Sequence, residues 1–316
     1  MFVTAAEQVC PGSRSCTKDG QGRLSSAAYA GPVSSEHISA ASSPGWKWDP
    51  SLYAGTARFY SVGRVAYPAE LVDLLVTALE LDGSGRLLDV GCGPGSLTLL
   101  LAPNFAQAFG IDPDAGMLSE AARLAAETGV SNVTWRQLRA EELPADLAPV
   151  RLVAFAQSFH WMDRRRVART VRGMLTDDGA VVHVHATTHQ GVDSGAELPY
   201  PRPPHARIAE LVQRYLGPDR RAGKGVLTAG TPDGEDTIYR AAGLTGPQRL
   251  EVPERIIDRT VDQVAAGVYS LSSAAPHLFA DRLEQFDADL RQLLASSARD
   301  GWFSEEFPSI AMDIWR

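Results

Sequence analysis

The sequence predicts an α/β fold in which helices cover both faces of a doubly wound, mainly parallel β-sheet. Short strands alternate with helices from residue 67 to residue 187, the pattern of repeated strand–helix–strand units. The strands are almost wholly apolar, as expected where helices bury both faces of a sheet. A glycine-rich turn between the first strand and its helix is a further sign of this fold class.

The elements follow one another in a regular order up to residue 187. Apolar residues at helical spacing predict a helix over residues 67–81, before the first strand. An arginine-rich helix over residues 164–175 is expected to turn most of its arginines to solvent. The other predicted elements are strands at 86–91, 106–112, 133–138, 152–157 and 179–186 and helices at 96–101 and 114–127.

Beyond residue 187 the alternation loosens. Residues 188–233 are rich in proline and glycine around one helix, and we interpret them as an insertion over the edge of the sheet. The remaining predicted elements are a helix ended by Gly243, a strand at 248–257, a long amphipathic helix at 278–298 and a last strand at 309–316.

Composition disfavours several classes of protein. The net charge of −8 argues against nucleic acid or an anionic membrane as a partner. No apolar run reaches the ~18 residues of a membrane span, and the N-terminus does not resemble a secretory signal. Three cysteines without a paired framework suit a reducing compartment, so we expect a cytoplasmic protein.

Residues 1–45 contain few large apolar side chains, and we expect them to form a flexible N-terminal extension. Residues 46–316 would then form the folded domain. Cys10 and Cys16 lie in the extension without neighbouring ligands, so a zinc site there is not expected.

The glycine-rich turn contains the pattern D-x-G-x-G-x-G, formed by Asp89, Gly91, Gly93 and Gly95. Glycine permits a tight turn and lets a ligand approach the backbone. Asp112 ends the next strand, where a carboxylate can hold a ribose diol. A nucleotide-like ligand is therefore predicted, although a ligand-free turn is the alternative. The spacing differs from the dinucleotide pattern G-x-G-x-x-G, and the G-K-[ST] of phosphate-binding loops is absent.

Four segments in this order resemble class I S-adenosylmethionine-dependent methyltransferases, in particular the type 11 group that acts on small molecules. The segments are LLDVGCGPGSLT, GIDPDAGML, LRAEELP and AQSFHWMD. The last is similar to trans-aconitate methyltransferase-like and actinomycete natural-product enzymes. Tyr60, Arg64, Tyr67 and Pro68 resemble the Y-x-x-x-R-x-x-Y-P entrance of that subgroup.

The resemblance covers residues 53–186 and implies a Rossmann-like seven-stranded methyltransferase sheet with helices on both faces. The C-terminal strand of such a sheet is antiparallel. Residues 53–186 would form the cofactor half, and a helical lid would come from residues 188–233 and 258–300, where the acceptor binds.

The resemblance also implies S-adenosyl-L-methionine as cofactor and S-adenosyl-L-homocysteine as product. Arg139 departs from relatives that carry a small or acidic residue there, which puts side-chain recognition of the adenine amine in doubt. At the methionine end of the cofactor, the implied contacts are Gly91, Gly93 and Gly95, with Asp89 at the amino group and Tyr60 and Arg64 over the carboxylate. At the adenosine end they are Asp112 at the ribose, Pro113 and Met117 on the adenine, and Ala140 and Glu141 at the adenine edge. Gln157, beside Ser158, would lie beneath the sulfonium.

The acceptor is expected beyond the fourth and fifth strands. His160 is a candidate base or orienting donor beside Trp161, although a structural histidine is the alternative. His185 and His189 are candidates for the same pocket, and no metal is expected at these histidines. Tyr269 resembles a lid residue of the subgroup, with plain helix packing as the alternative.

The sequence thus predicts methyl transfer to a small-molecule acceptor, at the oxygen of a carboxylate or hydroxyl. Such a displacement mainly needs proximity and alignment, with or without a base. The alternatives are C- or N-methylation, with or without coupled cyclisation, a non-catalytic cofactor-binding protein and, more distantly, a dinucleotide oxidoreductase. A homo-oligomer is compatible with the sequence.

Overall fold

The computed structural model of the protein describes residues 49–219, 221–222, 225–226 and 234–316. The predicted extension at residues 1–45 and part of the predicted insertion at 188–233 lie outside the described residues. The boundaries of the predicted domain therefore stay predictions.

Helices and strands alternate through the first half of the described chain. The strands are β1 (Arg86–Val90), β2 (Gln107–Asp112), β3 (Val133–Gln137), β4 (Val150–Ala156), β5 (Leu175–His185), β6 (Arg221–Ala222), β7 (Gly225–Val226), β8 (Gln248–Val252), β9 (Arg255–Thr260), β10 (Trp302–Phe307) and β11 (Ile310–Trp315). The helices are α1 (Ala57–Gly63), α2 (Ala69–Leu79), α3 (Ser96–Leu101), α4 (Ala115–Thr128), α5 (Arg164–Met174), α6 (His205–Leu216), α7 (Glu235–Ala241), α8 (Val261–Tyr269) and α9 (Leu283–Ser297).

Seven strands form the main sheet in the order β3-β2-β1-β4-β5-β11-β8. The first five pair in parallel, whereas β11 is antiparallel to both β5 and β8. The predicted Rossmann-like seven-stranded sheet with an antiparallel C-terminal strand is therefore confirmed. Because the strand order reverses between β1 and β4, the carboxyl ends of these strands border the crevice in which such sheets bind ligands.

Two apolar layers bury the faces of the main sheet. On one face, Phe155 and Trp315 pack with Tyr239 of α7 and with the apolar side of α5. On the other face, Leu71, Leu75 and Leu79 of α2 pack against β1, β4 and β5. The 3–4 residue spacing that predicted α2 is thus the spacing of its buried side.

Two predicted elements are wrong in their extent. The strand predicted over 248–257 is two strands, because Pro253 cannot donate to a ladder and the chain leaves the main sheet there. The helix predicted over 278–298 begins only at Leu283, because Ala280 has a positive φ of 50° that no helix continues. β10 and α8 were not predicted.

A third apolar cluster lies beside the sheet and forms the part we call the cap: α1, α8, α9 and the antiparallel pair of strands β9 and β10. Its core includes Phe279, Phe286 and Phe303, all buried. Helices α1 and α8 touch backbone to backbone, because a Cβ on Gly63 would lie 2.2 Å from the amide nitrogen of Gly267. Contact with α8 therefore holds α1 in a fixed place within the cap.

Candidate active site

The three glycines between β1 and α3 have different neighbours. All have positive φ angles, of 69° at Gly91, 55° at Gly93 and 80° at Gly95. A Cβ on Gly91 would lie 2.6 Å from Cβ of Ser158, and a Cβ on Gly95 would lie 2.6 Å from the ring of Trp135. A Cβ on Gly93 would meet nothing within 4 Å. Gly93 is thus the position that leaves open space for a ligand, whereas Gly95 allows packing.

Asp89 lines this space and carries one unpaired carboxylate oxygen. Its Oδ2 accepts a hydrogen bond of 2.6 Å from the hydroxyl of Thr98, a residue of the helix α3 that follows the glycine loop. Its buried Oδ1 has no hydrogen-bond partner among the described residues. Burial raises the pKa of Asp89 to about 7. A cationic group of a ligand would therefore stabilise this carboxylate.

Asp112 closes the other side of the loop. Its Oδ2 accepts 2.9 Å from the amide of Gly93, and its Oδ1 accepts 2.9 Å from the amide of Asp114. Burial raises its pKa to about 6. A carboxylate can accept about four hydrogen bonds, so lone pairs remain for the hydroxyls of a ligand.

The turn after β4 brings Gln157 to the same pocket in an uncommon backbone conformation. Its φ is 56°, in the left-handed region that non-glycine residues seldom occupy outside functional sites. The amide Nε2 donates to the hydroxyl of Tyr67 at 3.2 Å and to that of Thr188 at 3.4 Å. The next residue, Ser158, donates to the carbonyl of Val90 at 2.6 Å, which ties this turn to β1.

Arg64 reaches the pocket from the cap. Its guanidinium stacks on Tyr60 at 4.6 Å, and its Nε donates to the hydroxyl of Ser270 at 2.8 Å. The two terminal nitrogens donate to the Ser270 carbonyl at 3.2 Å and to Thr188 at 3.5 Å. These contacts fix a cation at the pocket wall formed by α1, the end of α8 and the segment after β5.

Aromatic side chains narrow the pocket. Tyr53 and Trp161 meet edge to face with ring centroids 6.2 Å apart. Burial raises the pKa of the Tyr53 and Tyr67 hydroxyls, so both remain protonated at neutral pH. The pocket encloses about 1050 Å³ of space when its open mouth is included.

Most of the side chains predicted to contact the cofactor line this one pocket. Arg139 lines it too, paired with Glu141 at 3.3 Å. The predicted residues at its wall are Tyr60, Arg64, Asp89, Gly91, Gly93, Asp112, Pro113, Met117, Ala140, Glu141, Gln157, Ser158 and Trp161.

Five predicted site residues do not line the pocket: Gly95, His160, His185, His189 and Tyr269. Gly95 supports Trp135 instead, as described above. Tyr269 is buried in the cap, and its hydroxyl donates to Asp287 at 3.0 Å. Tyr269 thus packs inside the cap and does not reach the pocket.

His183 and His185 lie on the α7 side of the sheet, with rings stacked at 4.4 Å, and His183 contacts Tyr239 of α7. His160 contacts Trp161 but does not line the pocket, and burial lowers its pKa to about 4. Nε2 of His185 lies 3.1 Å from Oδ2 of the buried Asp313, while the carbonyl of His189 accepts from Arg259 at 3.2 Å. His160, His185 and His189 therefore do not line the pocket in which they were expected.

Sequence reasoning missed several pocket residues. Tyr67 stands in the quoted entrance motif but was given no contact, and Cys92 lies inside the glycine loop. Met162 lies in the quoted segment AQSFHWMD but was given no contact, whereas Tyr53 and Thr188 stand in none of the quoted segments.

Two negative findings concern the described part of the chain. None of its helices combines the length and apolarity that a membrane crossing needs. Within the same residues, no three or more histidine, cysteine, aspartate or glutamate side chains cluster in a way that could hold a metal ion.

Comparison with known proteins identifies one domain within the chain. Residues 87–179 match the methyltransferase domain family. This segment is a class I S-adenosylmethionine-dependent methyltransferase domain. The matched residues run from β1 into β5 and contain the glycine loop, Asp112 and the turn after β4.

Individual relatives match over segments of similar length. The uncharacterized methyltransferase YcgJ of Bacillus subtilis is 30% identical over 40% of this chain and 51% of its own. The trans-aconitate 2-methyltransferase of Pseudomonas paraeruginosa is 34% identical over 37% of this chain and 38% of its own. The solved structure of Bacillus subtilis YcgJ superposes with a TM-score of 0.44 at 20% identity, over 78% of this chain and 97% of that one.

The chain spans about half the length of the curated relatives it matches. The cofactor of the methyltransferase domain is S-adenosylmethionine, and the pocket residues fit it. The unpaired Oδ1 of Asp89 suits an ammonium, Arg64 suits a carboxylate, and the open space over Gly93 leaves room between them.

Proposed function

We propose that the protein transfers the methyl group of S-adenosylmethionine to an oxygen atom of a small-molecule acceptor. The observation that carries this proposal is the buried, unpaired Oδ1 of Asp89 in a pocket that also contains Arg64 and Asp112. A buried polar atom without a partner is costly, so a cationic ligand group at this point is favoured.

Each part of the cofactor would be bound by a pocket residue of matching charge or polarity. Asp89 would accept from its ammonium, Arg64 would pair with its carboxylate, and Asp112 would accept from its ribose hydroxyls. Bound S-adenosylmethionine supplies an activated methyl group on a sulfonium. The protein then needs chiefly to align the acceptor and to exclude water.

The walls of the pocket favour a small acceptor. Tyr53, Tyr67, Trp161, Met162 and Thr188 line it, and the aromatic rings among them narrow it to a cleft that a folded macromolecule would not enter. The net charge of −8 adds repulsion against a polyanion such as RNA.

The accepting atom decides whether a base is needed. An ionised carboxylate has no proton to lose, whereas a hydroxyl does. His185 is the candidate base among the predicted histidines, because it follows Val184, the partner of Ala156 at the end of β4, and Asp313 can orient its ring. A trans-aconitate 2-methyltransferase among the relatives is compatible with a carboxylate acceptor.

Calorimetry with S-adenosylhomocysteine, with NAD as the competing ligand, tests the cofactor half of the proposal. We expect micromolar binding of S-adenosylhomocysteine alone, and its loss in Asp112→Ala. Asp177→Ala is the matched control, because Asp177 is exposed on β5 away from the pocket. Binding of NAD, or equal binding by both variants, would contradict the proposal.

Product analysis tests the acceptor half. Purified protein is incubated with isotopically labelled S-adenosylmethionine and panels of carboxylic acids, phenols, alcohols and amines. A base-labile methyl ester indicates a carboxylate acceptor, a base-stable ether indicates a hydroxyl, and a methylated amine or carbon supports the alternatives. Cofactor binding without turnover of any panel would favour a non-catalytic binding protein.

A further inference from the structure

A buried arginine outside the pocket joins every segment that holds Arg64. Arg259 of β9 is only 3% exposed. One terminal nitrogen donates to the carbonyl of Gly63 at 2.6 Å and to that of Gln263 at 2.9 Å. The other donates to the carbonyl of His189 at 3.2 Å. A single guanidinium thus cross-links the end of α1, the first turn of α8 and the segment after β5.

Glu305 of β10 neutralises this guanidinium. Its Oε2 lies 2.7 Å from Arg259, and its own exposure is 2%. Its Oε1 accepts from the amide of Gly191 at 2.8 Å and lies 2.6 Å from Nε2 of His205. Every oxygen of this buried carboxylate is therefore partnered, which a buried charge pair needs in order to persist.

The same three segments provide the surroundings of Arg64. Arg64 directly follows Gly63, hydrogen-bonds to Ser270 just after α8, and touches Thr188 just before His189. The amide of Val65 also donates to the Thr188 carbonyl at 2.8 Å. Arg259 and Arg64 thus contact the same wall. Arg64 lies on the side that faces the pocket, and Arg259 lies on the opposite side.

Close packing leaves this wall little freedom to adjust. A Cβ on Gly267 would lie 2.9 Å from the terminal nitrogen of Arg259 and 3.1 Å from the Gly63 carbonyl. Helix α1 has only seven residues, too few to be stable by itself, so its position depends on such contacts.

We propose that Arg259, with Glu305, is a positioning residue for the cofactor: it fixes the wall that presents Arg64 to the carboxylate of S-adenosylmethionine. This inference rests on the proposed function of the pocket. Its specific consequence is that Arg259 controls affinity for the amino-acid end of the cofactor and leaves the adenosine end, at Asp112, unaffected.

Two ligands separate these ends. S-adenosylhomocysteine carries the amino-acid group, and 5′-methylthioadenosine lacks it. In Arg259→Lys the charge opposite Glu305 is kept, but one ammonium cannot span the three carbonyls. We expect about tenfold weaker S-adenosylhomocysteine binding, the effect of weakening one charge-assisted contact. Binding of 5′-methylthioadenosine should stay within about twofold of wild type.

A double-mutant cycle tests whether Arg259 acts through Arg64. If it does, Arg64→Lys combined with Arg259→Lys loses little more affinity than Arg64→Lys alone. Arg249→Lys is the matched control, because Arg249 also forks onto a buried carboxylate, Asp313, but lies away from the pocket. It should change neither affinity.

Glu305→Gln provides a second variant of similar shape, and it should show the same selective loss. Thermal unfolding of each variant verifies that it is folded. Equal weakening of both ligands, additive losses in the cycle, or unchanged binding in Arg259→Lys would overturn this inference while wild-type binding upholds the proposed function. A wild-type protein that fails to bind S-adenosylhomocysteine would instead overturn the proposed function, and this inference with it.

Discussion

The two walls of the cofactor pocket are built in different ways. Asp89 and Asp112 stand on β1 and β2 in the middle of the parallel sheet, and backbone amides of the adjoining loop hold Asp112 in place. Arg64 stands beside a seven-residue helix whose place depends on contacts with α8 and Arg259. The sheet wall is fixed by local backbone, and the cap wall by distant side chains.

The two walls should therefore respond differently to substitution. A substitution at the sheet wall removes a contact to the ligand but leaves the scaffold, because the strands are buried on both faces. A substitution behind the cap wall moves several ligand-facing groups together. The predictions below separate these two kinds of failure.

The largest effect is expected where the two cap helices touch. In Gly63→Ala the new methyl would lie 2.2 Å from a backbone nitrogen of α8, so α1 must move with Tyr60 and Arg64. We expect S-adenosylhomocysteine affinity to fall by roughly two orders of magnitude and unfolding free energy by about 1–3 kcal/mol. Calorimetry and denaturant unfolding measure the two.

Gly173→Ala is the control for this substitution. Gly173 lies in α5, where a Cβ would meet nothing within 4 Å. This variant should be more stable than wild type by about 0.5–1 kcal/mol, with unchanged affinity. Equal behaviour of the two variants would show that the cap does not set the pocket wall.

The pH dependence of binding probes the sheet wall. Burial raises the pKa of Asp89 to about 7 and that of Asp112 to about 6, from an ordinary value of 3.8. A raised carboxyl pKa stabilises the ligand-free fold fully below pH about 4, and this contribution is lost as pH rises through 6 and 7. A bound ammonium removes that cost by pairing with the ionised Asp89.

Binding of S-adenosylhomocysteine should therefore strengthen with pH between about 5.5 and 8, by up to about tenfold per unit near the pKa of Asp89. The increase in unfolding temperature caused by the ligand should grow over the same range. Asp89→Asn cannot ionise, and it should flatten the profile near pH 7. Affinity that is constant or falls with pH in the wild type would contradict this assignment.

The contrast between a sheet wall fixed by local backbone and a cap wall fixed by distant side chains also explains which site residues the sequence could predict. Asp89, Gly91, Gly93 and Asp112 could be found because each lies at a strand end within a short, patterned segment. Gly95 does not line the pocket, and its close packing against Trp135 requires the absence of a Cβ, just as ligand approach does. A glycine pattern by itself does not distinguish these two requirements.

The contacts that hold the cap wall in place could not be predicted, because they join residues far apart in the chain. Arg259 and Glu305 are 46 positions apart, and Arg64 and Ser270 are 206 apart. Periodicity predicts which side of a helix is buried, but it does not say which helix covers it. The sequence therefore left two interpretations of Tyr269 open, a lid residue or helix packing, and it packs among the phenylalanines of the cap.

The smallest expected effects come from removing single hydroxyls, one on each side of the boundary between pocket and cap core. The hydroxyl of Tyr67 accepts from Gln157 at the pocket, whereas that of Tyr269 donates to Asp287 outside it. Tyr67→Phe should weaken S-adenosylhomocysteine binding about three- to fivefold, because Gln157 loses one of its two fixed partners. Tyr269→Phe should leave affinity unchanged and lower unfolding free energy by about 1 kcal/mol. Both substitutions remove one phenolic hydroxyl. A loss of affinity in Tyr269→Phe would therefore mean that the cap core also controls the pocket through α8.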